Sequence, residues 1–308
     1  MILGFTGRVA AQGAAAPDSS PAWSAEDWQI FQDKVRWAVA QGLETIPAGD
    51  AIAQLGASFV GTPYRAATLE TAGPEHLVVN LHELDCVTVV ETVLALTKFV
   101  RQDGVAALGD SLAARAKYES YLRDIRYRAG TIAGYASRLH YFSDWLATNG
   151  AAGHITVVTA QLGGAPDLRP ITFMTGHAAS YPALQDSSTL LTIQLVEGQL
   201  NGGPPRYVIP KESIAGVVNG IRDGDIIAAA STVAGLDVSH TGFAVWKDGE
   251  LHLLHAPLTG SPVEISPLPL ADRIKAITSQ WGIMVARVND EWMPPAGSTM
   301  PAHEHHDH

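Results

Sequence analysis

The order of local signals along the chain predicts an α+β fold, with helical patterns filling the first half and β-like runs the C-terminal third. Three observations carry this. Ser24 followed by Asp27 reads as a helix start, and Asp85 ahead of Cys86 and an apolar run reads as another. Asp248-Gly249 between two alternating apolar runs reads as a tight hairpin turn.

Taken in order, Trp28, Phe31, Val35 and Ala38 share one face of a helix that begins at Ser24. A short helix over Asp50 to Phe59 turns Ile52, Leu55 and Phe59 inward. The segment "VGTPYRAATLETAGPEHLVVN" is too rich in Gly, Pro and Thr for a long element, and its "LVVN" is expected to be a brief strand. Helices follow from Cys86 and around Leu112 to Arg126. The stretch from about 126 to 205 mixes turns, aromatic residues and short strands and yields no firm assignment. Beyond it, "GDIIAAAS", "VSHTGFAVW" and "ELHLLHAPL" are three strands.

At 308 residues the chain can bury a full core, and 46% hydrophobic with 17% charged residues is ordinary for a globular protein. No run approaches the roughly 18 apolar residues a spanning helix needs. A formal charge of −11 argues against nucleic acid as a partner. No glycine-rich phosphate loop follows a strand, so no nucleotide cofactor is expected. The segment 1–22 is small-residue-rich, and "AAQGAAAP" resembles a signal cleavage region. The tail 298–308 ends in "HEHHDH", read as disordered rather than as a metal site. His76 and His82 lack metal-ligand spacing, so no metal is expected there.

Cys86 is the only cysteine, and its position is informative. Asp85 at the helix N-cap places the thiol in the first turn, where free amides and the helix dipole favour a thiolate. The Cys86 N–H there is free to meet an oxyanion. A lone cysteine at a helix start can equally be packing. The hairpin offers it a base. With Asp248-Gly249 as the turn, Lys247 faces Glu250 and Gly242 faces His255. His240 and His255 then share a sheet face as diagonal neighbours roughly 7–8 Å apart at the backbone, while His252 points away. One imidazole can orient the other, although two histidines satisfied within a sheet would give the same spacing. His140, in "SRLHYFSDW", lies in a stretch suited either to a cleft or to aromatic packing.

Gly61-Thr62-Pro63-Tyr64, Asp85-Cys86, His240-Thr241-Gly242 and His255 occur in an order that resembles the NlpC-type branch of papain-like cysteine hydrolases. "LDCVTVVETVLAL", "YRAGTIAGYASRLHYFSDW" and "GLDVSHTGFAVW" are similar to its N-acetylmuramoyl-L-alanine amidase-like subfamily, over about residues 59–257. The resemblance implies a papain-like NlpC-type core, with the nucleophile at a helix N-terminus packed on an antiparallel β-sheet. Extra N-terminal helices and an insertion at about 126–205 would belong to a single catalytic domain over 23–297. It implies Cys86 as nucleophile, His240 as base and His255 as orienter, with Tyr64 and Thr62 at the oxyanion or substrate side. Ser137, Arg138 and Tyr141 become the expected sugar-side wall. The implied substrates are peptidoglycan fragments, (anhydro)muropeptides cut between lactyl group and L-Ala, handled without a cofactor in the periplasm or outside the cell. A γ-D-Glu–diaminopimelate endopeptidase and an idle wall-fragment binding module remain alternatives. Val87-Thr88 departs from the Ser-Gly usual after the cysteine in the superfamily, so specificity cannot be copied from the peptide-cutting relatives.

Overall fold

The computed structural model describes residues 23–297, so the signal-like segment 1–22 and the tail 298–308 lie outside the described residues. The chain runs α1 (Ala25–Ala40), α2 (Ala48–Ala57), α3 (Cys86–Gln102), α4 (Ser111–Arg126), α5 (Phe142–Ala151), β1 (Ile155–Val157) and β2 (Ala165–Asp167). Then come α6 (Phe173–Gly176), α7 (Ser187–Gly202), β3 (Arg206–Pro210), α8 (Ile214–Val217), β4 (Ile226–Ser231), β5 (Val238–Lys247), β6 (Glu250–His255), β7 (Glu264–Ile265), α9 (Leu270–Ala276) and β8 (Gln280–Val288). Helices and one antiparallel sheet make the class α+β, as the sequence predicts.

The sheet has the order β2-β3-β8-β4-β5-β6-β7, with β1 also pairing β8. Its centre is buried on both faces. Phe243, Val245 and Leu254 on one face join Val89, Val93 and Ile52 of α3 and α2. Ala244, Leu253, Ile227 and Val285 on the other join Ile214, Leu270 and Ile274 of α8 and α9. The β5–β6 hairpin takes the expected register, Lys247 opposite Glu250. Asp248 and Gly249 both adopt positive φ, 52° and 85°, as a two-residue turn matched to strand twist requires.

Helix α3 is the axle of the molecule, buried on every side from Thr88 to Arg101. A helix so enclosed must satisfy its polar side chains internally. Glu91 pairs with Arg126 at 2.7 Å, with both side chains almost fully buried. Arg101 donates to the carbonyls of Met293 and Ile46. Lys98 lies over the Trp292 ring at 4.2 Å.

Two sequence expectations need correction. "LVVN" is not a strand: among the described residues no neighbouring strand pairs with it, and side chains hold Val78 and the residue just beyond the segment. Arg126 donates to the Val78 carbonyl, and the Leu81 N–H donates to Asp27 Oδ1. The short helix begins at Ala48 and ends at Ala57, with Phe59 in the turn beyond it. The unassigned stretch holds α5, whose Phe142, Trp145 and Leu146 join the main core, and the 16-residue α7, whose Ile193 packs a small separate cluster with Tyr141, Ile171, Met174 and Leu184.

Candidate active site

The mouth of α3 is locked by a reciprocal cap. Asp85 Oδ1 accepts the Val87 and Thr88 N–H groups at 3.0 and 2.7 Å, and Thr88 Oγ1 accepts the Asp85 N–H at 2.8 Å. Cys86 follows immediately and keeps a partly exposed edge. Thr241 of β5 donates its hydroxyl to the Cys86 carbonyl, which fixes the helix end against the strand. The sulfur lies against the Thr241 backbone and hydroxyl, one residue beyond His240.

His240 and His255 are brought together. His240 Nε2 and His255 Nδ1 are 2.8 Å apart, with the rings nearly perpendicular at 86°. Gly242 makes this possible. A Cβ there would strike the Leu254 carbonyl and come within 3.0 Å of the His255 Cβ, pushing the strand that carries His255 away. His252 takes no part and bonds through Nδ1 to the Ser266 carbonyl. His82 bonds to Asp27 and His76 to the Pro74 carbonyl, so both serve local structure.

The thiol differs from expectation. Burial, then the neighbouring Asp85 charge, pushes Cys86 up to about 11, outweighing the Thr241 and Cys86 hydrogen bonds that favour a thiolate. Burial likewise depresses His240 to about 3, helped by Arg273, and His255 to about 2, helped by His240 and Arg273. At neutral pH these shifts leave a neutral thiol at the helix mouth and two neutral imidazoles on the hairpin. The helix end alone does not ionise the sulfur, because enclosure by protein opposes it more strongly.

Tyr64 sits beside this mouth. The Pro63 carbonyl accepts the Leu84 N–H at 3.0 Å, and Tyr64 bridges to Leu84 in parallel. Burial raises the phenol, followed by the charges of Cys86 and Asp85. Thr62 lies in the same loop, tied through its carbonyl to the Val263 N–H at 2.8 Å.

A cavity of about 220 Å³ opens beside Asp85 and Val87 and is lined by Tyr135, Arg138, Tyr141 and Phe173. It adjoins a recess of about 460 Å³ that shares Glu70, Tyr135 and Arg138. Of the three expected wall residues, Arg138 and Tyr141 reach the cavity and Ser137 is not among its lining residues. The Ser137 hydroxyl closes its own turn, donating to the Gly134 carbonyl and accepting the Ala133 N–H. Tyr141 is 3% exposed and its hydroxyl is held by Glu197 and the Met174 N–H, so it supports the wall rather than presenting a face. Arg138 is ion-paired to Glu70 at 2.6 Å and Glu75 at 3.0 Å.

Sequence reasoning missed Glu70, Glu75, Tyr135, Thr241, Glu264 and Arg273 near these groups. Only Thr241, between His240 and Gly242, carried a local signal. The others come from loops or short elements whose partners are distant in sequence.

Helices packed on an antiparallel sheet, with the Cys86 helix mouth tied through Thr241 to the strand that carries His240, define an α+β protein. The N-acetylmuramoyl-L-alanine amidase-like (AmiA-like) family model matches residues 54–283, and the chain belongs to that family. It is similar to the crystal structure of an N-acetylmuramoyl-L-alanine amidase from Bacteroides uniformis, with 35% identity and a TM-score of 0.70 over 79% of this chain and 99% of that one. A Bacteroides fragilis protein provisionally described as a xylanase is 35% identical, with a TM-score of 0.66 over 76% of this chain and 99% of that one. A Legionella pneumophila protein at 20% identity and a TM-score of 0.60, over 84% of this chain and 94% of that one, shares the fold. No curated protein matches the chain.

Proposed function

We propose that the protein is a cysteine-dependent amide hydrolase of the papain-like, NlpC-type superfamily that cleaves the lactyl–L-Ala amide of (anhydro)muropeptides. Membership of the amidase-like family supports the reaction class, and the B. uniformis amidase supports the bond. The observation that carries the mechanism is the 2.8 Å His240–His255 contact beside a helix mouth pinned by Thr241 to Cys86.

The neutral resting state defines the first step. As the substrate carbonyl approaches, the Cys86 proton passes to His240 Nδ1 and the sulfur attacks the carbonyl carbon. Negative charge grows on the carbonyl oxygen, toward which the Cys86 N–H and the Tyr64 hydroxyl can donate. One such donor is worth about 2.7–4 kcal/mol elsewhere. His240 then returns the proton to the departing L-Ala nitrogen, and the C–N bond breaks to leave a thioester. Water, giving its proton to His240, releases the muramyl acid and restores the thiol. Arg138 and the aromatic faces of Tyr135 and Phe173 line the space in which substrate would lie. Action on wall fragments would favour a location in the periplasm or outside the cell.

Incubation of a defined anhydro-muropeptide, followed by mass spectrometry, tests the reading. Free anhydro-disaccharide and intact stem peptide are expected from the wild type, and neither from Cys86→Ala. Shortened stems would instead mark an endopeptidase, and no turnover by a folded wild type would mark a binding module.

A further inference from the structure

The histidine pair poses a chemical question that its geometry does not answer alone. Each neutral imidazole carries one N–H, so the 2.8 Å contact between His240 Nε2 and His255 Nδ1 contains one proton, on one side or the other. If His240 Nε2 carries it, Nδ1 of His240 keeps a lone pair and can take a proton from the thiol. If His255 Nδ1 carries it, His240 must hold its own proton on Nδ1 and cannot act as a base. Only one of the two arrangements is productive.

What selects between them is the far nitrogen of His255. That residue is 1% exposed, and its Nε2 is buried without a hydrogen-bond partner. Strand β7 places Glu264 directly opposite His255, with Oε1 standing 3.6 Å from Nε2. The Glu264 side chain is 39% exposed, so it is free to swing the remaining distance. Loose contacts of this kind are common before substrate closes a site. A carboxylate accepts and cannot donate when ionised, so it stabilises only the tautomer with the proton on His255 Nε2.

We propose that Glu264 is a positioning residue that fixes the protons of the histidine pair, so that His240 presents a bare Nδ1 to Cys86. This rests on the hydrolase reading above. The order is Glu264 accepting from His255 Nε2–H, and His255 Nδ1 accepting from His240 Nε2–H. When the thiol proton moves to His240 Nδ1, the resulting imidazolium keeps its Nε2–H on His255. The chain then stabilises the positive charge without a second proton transfer. Other ionisable groups around the site are Arg273 from α9, Asp85 and Cys86 from α3, and Tyr64 from its loop. Arg273 also has a buried Nη1 without a partner, and it feels the charges of Glu264 and Cys86. It is thus a cation positioned to compete for the Glu264 carboxylate.

Nitrogen-15 spectra of the histidine rings at neutral pH test the proposal on the full chain, with steady-state turnover of anhydro-muropeptide measured alongside. Wild type should show protons on Nε2 of both His240 and His255. Glu264→Ala should show mixed tautomers and a kcat lower by about 10- to 100-fold at unchanged KM, the range known for the hydrogen-bond partners that orient metal-bound histidines. Glu264→Gln should restore most of the turnover, because its carbonyl accepts the same N–H. Ring shifts identical in wild type and Glu264→Ala, or a wild-type proton on His255 Nδ1, overturn the proposal. A folded wild type that never cleaves the muropeptide overturns the hydrolase reading instead, while the ring spectra still decide the tautomer.

Discussion

Around Arg138 every charge has a counter-charge, whereas around His240 and His255 burial removes the charges themselves. The guanidinium is held by Glu70 and Glu75, and those carboxylates keep it protonated beyond its usual range despite burial. The two imidazoles have only the partly exposed Glu264, 3.6 Å from His255, and are driven down to about 3 and 2. The first cluster is built to hold its charges at neutral pH. The second is poised to acquire one when the thiol proton arrives, and it returns to neutrality when that proton leaves. A wall and a proton shuttle need those opposite properties.

The largest effect should come from the shuttle. Replacing His240 by Ala is expected to lower kcat by roughly 10²–10⁴-fold, the span of general acid–base contributions, with a smaller stability cost of about 1–3 kcal/mol from the buried His255 Nδ1 left without its partner. Arg138→Ala should act chiefly on stability. It strands Glu75, whose side chain is 7% exposed, and breaking one partner of a buried pair costs about 3–5 kcal/mol. Urea unfolding of both variants beside the kinetics separates the two roles. An Arg138→Ala protein as stable as wild type would remove the contrast.

Acid should sharpen the same comparison through the sign of its effect. Both histidines have folded values far below their unfolded value of about 6.5, so they bind protons more readily when the chain is unfolded. Their neutral burial is fully favourable above that pH. Stability is then lost as pH falls below it, by up to about 1.4 kcal/mol per unit for each imidazole until the folded values are reached. Burial raises Glu75 instead, so the folded chain holds that proton more tightly and this group favours folding as pH falls. Net destabilisation between pH 6.5 and 4.5 is expected in denaturant titrations. A flat profile would mean that the pair is hydrated and takes up protons in the folded chain as readily as in the unfolded one.

How much of this was legible in sequence follows the reach of each signal. Ser24, Asp85 and the Asp248-Gly249 turn act within three or four residues, and each has its predicted cap or register. The hairpin register in turn brought His240 and His255 to one face. Helix α7 was not readable because it lies on the surface with only Ile193 and Glu197 buried, while Leu191 and Leu195 are 61% and 68% exposed. Without a sustained apolar face there is no 3.6-residue pattern to find. Glu264 sits in a two-residue strand within "SPVEISPLPL", where no period can show. The neutral thiol was missed for a different reason. A cap motif reports the local dipole, and the enclosure that overrides it is assembled by the whole fold.

The smallest effect isolates that last point. Asp85 does two things at Cys86: it caps α3, and its charge raises the thiol. Asparagine caps about as well as aspartate, so Asp85→Asn should change stability by only a few tenths of a kcal/mol. It removes the negative charge, and the alkylation of Cys86 by iodoacetamide should therefore shift to lower pH. Desolvation is the larger cause of the raised value and remains, so the shift should leave the thiol above its ordinary range. An unmoved profile would assign the whole elevation to burial, and an upward shift would mean that the carboxylate orients the amides holding the sulfur rather than opposing its charge.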